Sequence, residues 1–300
     1  MNDPEERVQR RLGLAAVLFA VTVYAGWVPV TRLGVLSRLT PGDVAALRYG
    51  MAGLLLLPVL LLRWRDVPWH RPWLLLAMTV GAGVPYFLLF AYGMRLATSG
   101  QGAVLGPGAV SPIAVLLVWA FLKEHPSKVQ LLGLALTIAG VLAILSRDVF
   151  SGGAHLAGFA LILLASSCWA TFTVVSRVMR MQPMVTAAFV SVVNALVYIP
   201  IYILRGGLGQ LAVAAPPKFL ILQAVYQGAL TGVIALIAFN YAVERLGAAG
   251  TARFMPLVPV FATFFGWLIL DDHLDLGTMI GLGTVLAGVV IANRSHRTPL

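Results

Sequence analysis

Charge is scarce in this 300-residue sequence: Asp, Glu, Lys and Arg together make up 11% of it. An ordinary soluble domain carries about 25%, so a water-soluble fold of this length could not cover its surface and that class is excluded. Cysteine is nearly absent. With Cys168 alone, no disulfide framework can form. Acidic groups number 11, and none falls near the middle of an apolar run. Low hydrophobicity, the precondition of disorder, is missing as well, as are low-complexity tracts and linkers long enough to separate soluble domains.

What is present is apolar: 60% of residues belong to the set AVILMFWYC, and the mean hydropathy is +0.91. Runs interrupted by charge, Pro or Gly mark ten candidate spans. They are Leu12–Thr31, Val44–Leu62, Trp73–Met94, Ala103–Leu122, Val129–Leu145, Leu156–Val175, Val185–Leu204, Phe219–Ala242, Ala248–Leu270 and Gly277–Ala292. Each is too apolar all round for a surface helix, and none alternates like a barrel strand. The reading is an all-α polytopic membrane protein of ten transmembrane helices. At about 20 residues per span, the remainder is too small for a soluble catalytic domain.

The net charge of +10 invites a nucleic-acid partner, but the cations lie in short clusters between the spans, as orientation signals do. That pattern argues for a lipid bilayer and no nucleic acid. With the N-terminus inside, 13 Lys and Arg gather on the cytoplasmic side and 6 on the outer side. The expectation is a multi-pass protein of a bacterial-type inner membrane with both termini cytoplasmic. Residues 1–11 form a leader into a retained helix and 294–300 a tail. The start Asp3, Glu5, Glu6 lacks the basic region of a secretory signal.

Comparing the halves is more informative. A shift of 148 lays Trp119-Ala-Phe-Leu-Lys-Glu-His125 on Trp267-Leu-Ile-Leu-Asp-Asp-His273, Gly133 on Gly281, and Ala139-Gly140-Val141 on Ala287-Gly288-Val289. A shift of 145 lays Gly13 on Gly158 and Arg32 on Arg177. Each half therefore holds five spans, residues 12–147 and 155–293, and an odd number inserts the second half upside down. Two inverted five-helix repeats are the plan of many secondary transporters.

These halves, the segment Pro41-Gly-Asp-Val-Ala-Ala-Leu-Arg48 opening the second span, and the acidic turns closing the fourth and ninth spans resemble the EamA family of the drug/metabolite transporter superfamily. The resemblance runs from about Leu12 to Asn293. It departs where the family has Trp-Gly in the first span, here Tyr24-Ala-Gly-Trp27, and where it favours Glu in the ninth-span turn, here Asp272. It implies export of amino acids or related metabolites, with an aromatic amino acid exporter branch among the members.

Enzyme chemistry finds no foothold. The five histidines lie at or near span ends, and no metal triad or carboxylate pair is available inside a span. The glycines of Gly100–Gly108 lack the strand and the Lys-Ser/Thr of a phosphate loop. No cofactor is expected. A proton relay would have to use a span-end group such as His155 or Glu124, which makes facilitated exchange the simpler coupling. Gly102 with Gly106, and Gly277 with Gly281, form small faces for close helix packing or a homodimer.

Binding candidates come from polar and aromatic residues on shared faces. Gln223 and Gln227 share one face of the eighth span with Thr231. Tyr24 and Trp27 share one with Thr31, and Trp169 one with Thr173. Tyr86 follows Pro85, which loosens a span that must bend. Arg253, five residues into the ninth run, either holds a substrate carboxylate or snorkels to the headgroups. Arg48 reads as an interface contact. Asn194, Tyr198 and Tyr202 read as interhelical or interfacial groups. The expected substrate-binding set is Tyr24, Trp27, Tyr86, Trp169, Gln223, Gln227 and Arg253. Sugar-phosphate-like anions would need more intramembrane cations than Arg253 and Arg48, and a membrane-embedded enzyme is the rival from another class.

Overall fold

The computed structural model describes residues 4–150, 156–247, 250–251, 253–272 and 276–294, and no strand occurs among them. Among the described residues seven helices are long and apolar enough to cross a membrane: Val8–Leu36, Pro41–Asp66, Pro72–Met94, Ser99–Leu122, Leu156–Met179, Pro183–Leu204 and Pro217–Leu246. Three shorter apolar helices, Lys128–Ala143, Leu257–Leu270 and Leu276–Ala292, fill the fifth, ninth and tenth places. These ten are called the first to tenth spans below. Lipid leaves backbone groups no water to bond, so apolar runs of this length close their hydrogen bonds within themselves.

Local chemistry sets several span starts. Thr40 and Thr98 form capping boxes with Asp43 and Gln101. Each threonine hydroxyl accepts the N–H three residues on, at 3.1 and 3.3 Å, and each acceptor side chain returns to the threonine N–H. Proline occupies the first turn of the second, third, seventh and eighth spans, where its missing N–H costs nothing. The ninth run is interrupted: Gly250 and Thr251 are helical, Arg253–Pro256 form a turn, and the longer helix runs from Leu257 to Leu270.

The inverted repeat is written into the packing. In the crossing of the fifth and tenth spans, a Cβ on Gly133 would lie 2.5 Å from the Gly288 carbonyl oxygen, and one on Gly140 would lie 2.8 Å from that of Gly281. Since Gly133 corresponds to Gly281 and Gly140 to Gly288, the two contacts exchange under a two-fold axis in the membrane plane. The fourth and ninth spans end alike: Lys123 and Asp271, equivalent positions, both adopt the left-handed conformation (φ 58° and 53°) that closes a helix. Gly281 is thus engaged within the chain, while Gly102 and Gly106 face Met94 and Phe90.

The spans are irregular near mid-depth. The third breaks at Gly83, two residues before Pro85, into Pro72–Ala82 and Val84–Met94. The fourth widens to π geometry over Val104–Gly108, around Pro107, and the eighth over Val225–Ile234. The break is held from both sides. The Asn194 side chain accepts the Val84 N–H at 2.8 Å, and the Tyr49 hydroxyl donates to the Ala82 carbonyl at 2.9 Å. Asn194 is therefore the interhelical group the sequence suggested.

The two ends of the bundle differ. At the end away from the N-terminus, Asp43 is buried and accepts the Tyr202 hydroxyl at 2.6 Å. Arg95 there bonds the Val35 and Leu39 carbonyls. At the N-terminal end packing is looser. The fourth span has no buried residue after Ala109, and a cavity of about 610 Å³ opens between Pro68, His70, Arg71, Glu124 and the end of the sixth span.

Candidate functional site

Six of the seven expected residues converge between the halves, around a cation the sequence reading had assigned to structure. Arg48 sits seven residues into the second span, about 10 Å from its start at 1.5 Å per residue, and is only half-buried. Its guanidinium carbon lies 5.5 Å from the Trp27 ring centre, 5.5 Å from that of Phe87 and 5.7 Å from that of Tyr49. Cation–π attraction of this kind is worth about 0.5–2 kcal/mol per ring, more when desolvated. Three aromatic faces therefore carry much of the cost of holding a permanent charge at this depth.

The aromatic wall continues outward from Trp27. Its ring stacks on Phe90 at 4.5 Å and on Tyr86 at 6.4 Å, and Tyr86 meets Trp169 of the other half at 4.9 Å. Gly83 and Pro85 shape this wall, because the break in the third span turns Tyr86 toward the sixth span. Tyr24, one turn before Trp27, packs edge-on against Phe239 at 6.5 Å. Tyr24 and Trp169 are half-buried, whereas Trp27 and Tyr86 are buried.

The two glutamines are fully buried and have protein partners. Gln223 donates to the Val30 carbonyl at 3.1 Å. Gln227 donates to the Thr31 hydroxyl at 3.0 Å and to Gln223 at 3.5 Å. They tie the eighth span to the first, one half to the other. Gln227 also faces Arg48: Nη1 of Arg48 donates to the Gln227 carbonyl at 3.3 Å, to its Oε1 at 3.4 Å and to the Thr231 hydroxyl at 3.3 Å. All three bonds are long and use one nitrogen. Among the described residues no carboxylate lies within ion-pair distance of Arg48.

Arg253 stands apart. It is exposed, in the turn before the ninth span. The turn Arg253–Pro256 interrupts the run Ala248–Leu270 at this residue. The signal for Arg48 was available: Pro41 and the Thr40 capping box anchor a helix that carries Arg48 a full two turns inward. His155 lies outside the described residues, and among them no group of His, Cys, Asp or Glu could hold a metal ion.

Comparison with known proteins agrees with this architecture. The model of the EamA-like transporter family matches residues 11–146 and again 156–294. An uncharacterized inner membrane transporter, YedA, of Escherichia coli K12 is 28% identical, the alignment covering 95% of this chain and 92% of that protein. A protein of Streptantibioticus cattleyicolor named as a probable terminal-alkyne amino-acid exporter is 27% identical over 93% and 92% of the two chains. An uncharacterized transporter of Archaeoglobus fulgidus is 25% identical over 92% and 96%. A solved crystal structure superimposes with a TM-score of 0.58 over 94% of this chain and 97% of that one, at 17% identity, which speaks to the fold alone. With both five-helix halves matched by one family model, the chain is a multi-pass membrane protein that belongs to the EamA-like transporter family, within the drug/metabolite transporter superfamily.

Proposed function

We propose that this protein is a secondary carrier, not an enzyme, that moves amino acids or related small metabolites by alternating access between its inverted halves. The observation that supports this best is the meeting of both halves at one cation: Trp27, Arg48 and Tyr86 come from the first, Trp169, Gln227 and Thr231 from the second. A site shared by two rocking halves can be exposed to either side in turn. The substrate-binding residues are Tyr24, Trp27, Tyr86 and Trp169 as the wall and Arg48 as the charge. Gln223 and Gln227 position that charge and couple the halves. The exporter name of the Streptantibioticus relative favours amino-acid-like cargo. A sugar phosphate, with two negative charges, fits a cluster holding one cation poorly.

The Lys and Arg imbalance supports an N-terminal end on the cytoplasmic side of the membrane. The open end then faces the cytoplasm, as an exporter awaiting cargo requires. Counterflow in proteoliposomes loaded with amino acids and small carboxylic acids tests the reading. Radiolabelled substrate should accumulate transiently above equilibrium in at least one loading. Passive equilibration alone, across the whole panel, would reject carrier activity for this class.

A further inference from the structure

We infer that the central site reads a carboxylate and ignores an ammonium, so its substrates are amphipathic carboxylates with a flat apolar body, with or without an α-amino group. The inference rests on the carrier reading and specifies its cargo. One donor at the site lacks an acceptor, and a cation beside it lacks a counter-charge. Arg48 donates through Nη1 in three long bonds and has no carboxylate beside it among the described residues. Trp27 is 7% exposed, and its Nε1 is buried with no hydrogen-bond partner. A buried indole N–H without an acceptor is costly. Both groups belong to one contact, the guanidinium lying 5.5 Å from the indole ring. An anion there accepts the indole N–H and neutralises the cation at once, and a guanidinium fork suits the two oxygens of a carboxylate. Tyr86, Phe90 and Trp169 supply the apolar faces beside it. No Asp or Glu lies near the middle of any span, so the site offers an α-ammonium no counter-charge.

Calorimetry on the full-length protein in detergent separates the groups with three probes of one skeleton: 3-phenylpropanoate, L-phenylalanine and L-phenylalaninamide. Both acids should bind, and the amide at least about tenfold more weakly. Arg48→Gln should cut the acid-over-amide preference by about 10–150-fold, the range of a charge-assisted bond. Arg48→Lys should keep part of it. Trp27→Phe, which keeps an aromatic face and loses the N–H, should weaken the acids about tenfold more than the amide. Variants are compared only as monodisperse protein. Equal binding of acid and amide, an unchanged preference in Arg48→Gln, or no binding of any probe would overturn the inference. Binding is read without transport, so a protein that binds the acids yet shows no counterflow fails only the carrier reading.

A second, independent observation concerns the ends. Arg32 of the first span pairs with Asp272 after the ninth, and Arg177 of the sixth pairs with Glu124 after the fourth. Arg32 is the repeat equivalent of Arg177 and Glu124 that of Asp272, and each carboxylate follows a left-handed residue. The two ion pairs are therefore images of each other at opposite ends, each joining the two halves. Their surroundings differ. Asp272 is 6% exposed and also accepts the Ser99 N–H at 2.8 Å. Glu124 is 52% exposed, beside the open cavity, and meets Arg177 through two bonds of 3.1 Å. Breaking a buried pair is far costlier than breaking an exposed one, so the Asp272 end holds this conformation. We propose that the pairs are alternating latches, the second becoming buried as the first opens.

Half-buried Cys168, one residue from Trp169 in the sixth span, reports the state through its labelling rate. Asp272→Asn should open the closed end, close the other, and slow labelling from the N-terminal side several-fold. Glu124→Gln, at an exposed position, should fold normally and leave labelling equal or faster. The double variant should return toward wild type. Equal shifts in both single variants, or no shift in either, would overturn the latch. Should Asp272→Asn fail to fold, the charge-exchanged pair Arg32→Asp with Asp272→Arg must restore wild-type labelling for the latch to stand.

Discussion

Asn194 takes over hydrogen bonds that the third span drops at its break. Its Oδ1 accepts the Val84 N–H at 2.8 Å, and its Nδ2 donates to the Thr79 carbonyl at 3.2 Å. A seventh-span side chain from the second half thus completes a helix of the first, two residues before Tyr86.

Asn194→Leu, similar in volume, would leave the Val84 N–H buried without an acceptor. The expected cost is about 1–3 kcal/mol, seen as a lower melting temperature in fluorescence-detected size-exclusion chromatography. Gly83→Ala should be worse, because a Cβ there would collide with the Thr79 carbonyl and with Asn194 itself. An unchanged melting temperature in both would mean that the break is not held this way.

Gly133 and Gly283 make opposite predictions within the paired fifth and tenth spans. A Cβ on Gly133 meets backbone and Ala292 at 2.5–2.7 Å, while one on Gly283 meets nothing within 4 Å. Gly133→Val should sharply lower the folded yield by forcing the spans apart. Gly283→Ala should stabilise by about 0.8–1.0 kcal/mol through helix propensity. Thermal melts of the two variants, side by side, check the sign of each.

Arg48 and Arg253 should separate in transport. Arg253→Gln, at an exposed turn, should leave substrate affinity within about twofold, since surface changes rarely exceed about 0.5 kcal/mol. Arg48→Gln should abolish most of it. Affinity measured by counterflow inhibition decides, and a loss in Arg253→Gln would return the carboxylate to the ninth span.

Orientation has its own test. In a Cys168→Ala background, Gly209→Cys at the closed end, where no atom lies within 4 Å of a new Cβ, should react with an impermeant thiol reagent in intact cells. His125→Cys, exposed at the open end, should react only after permeabilisation. The reverse pattern would invert the topology.

Much of this protein is legible without coordinates. Scarce charge and long apolar runs dictate helices, because lipid penalises any unpaired backbone group. The register of Trp119–His125 on Trp267–His273 dictates inverted halves, because five spans leave a chain on the opposite side. Asn194 as a bridge and Pro85 as a weak point also follow from residue chemistry alone. Depth and direction do not. Arg253 lay within an apolar run, yet the turn Arg253–Pro256 interrupts that run and leaves the side chain exposed. Arg48 passed for a structural contact, because its neighbours Trp27, Phe87 and Gln227 are 21, 39 and 179 residues away in the chain. Which end is closed depends on whether Asp272 or Glu124 is buried, although the two occupy the same place in their repeats. Composition and periodicity are properties of each segment and survive in the sequence. The environment of a charge is set by segments far apart in the chain, and only packing brings those together.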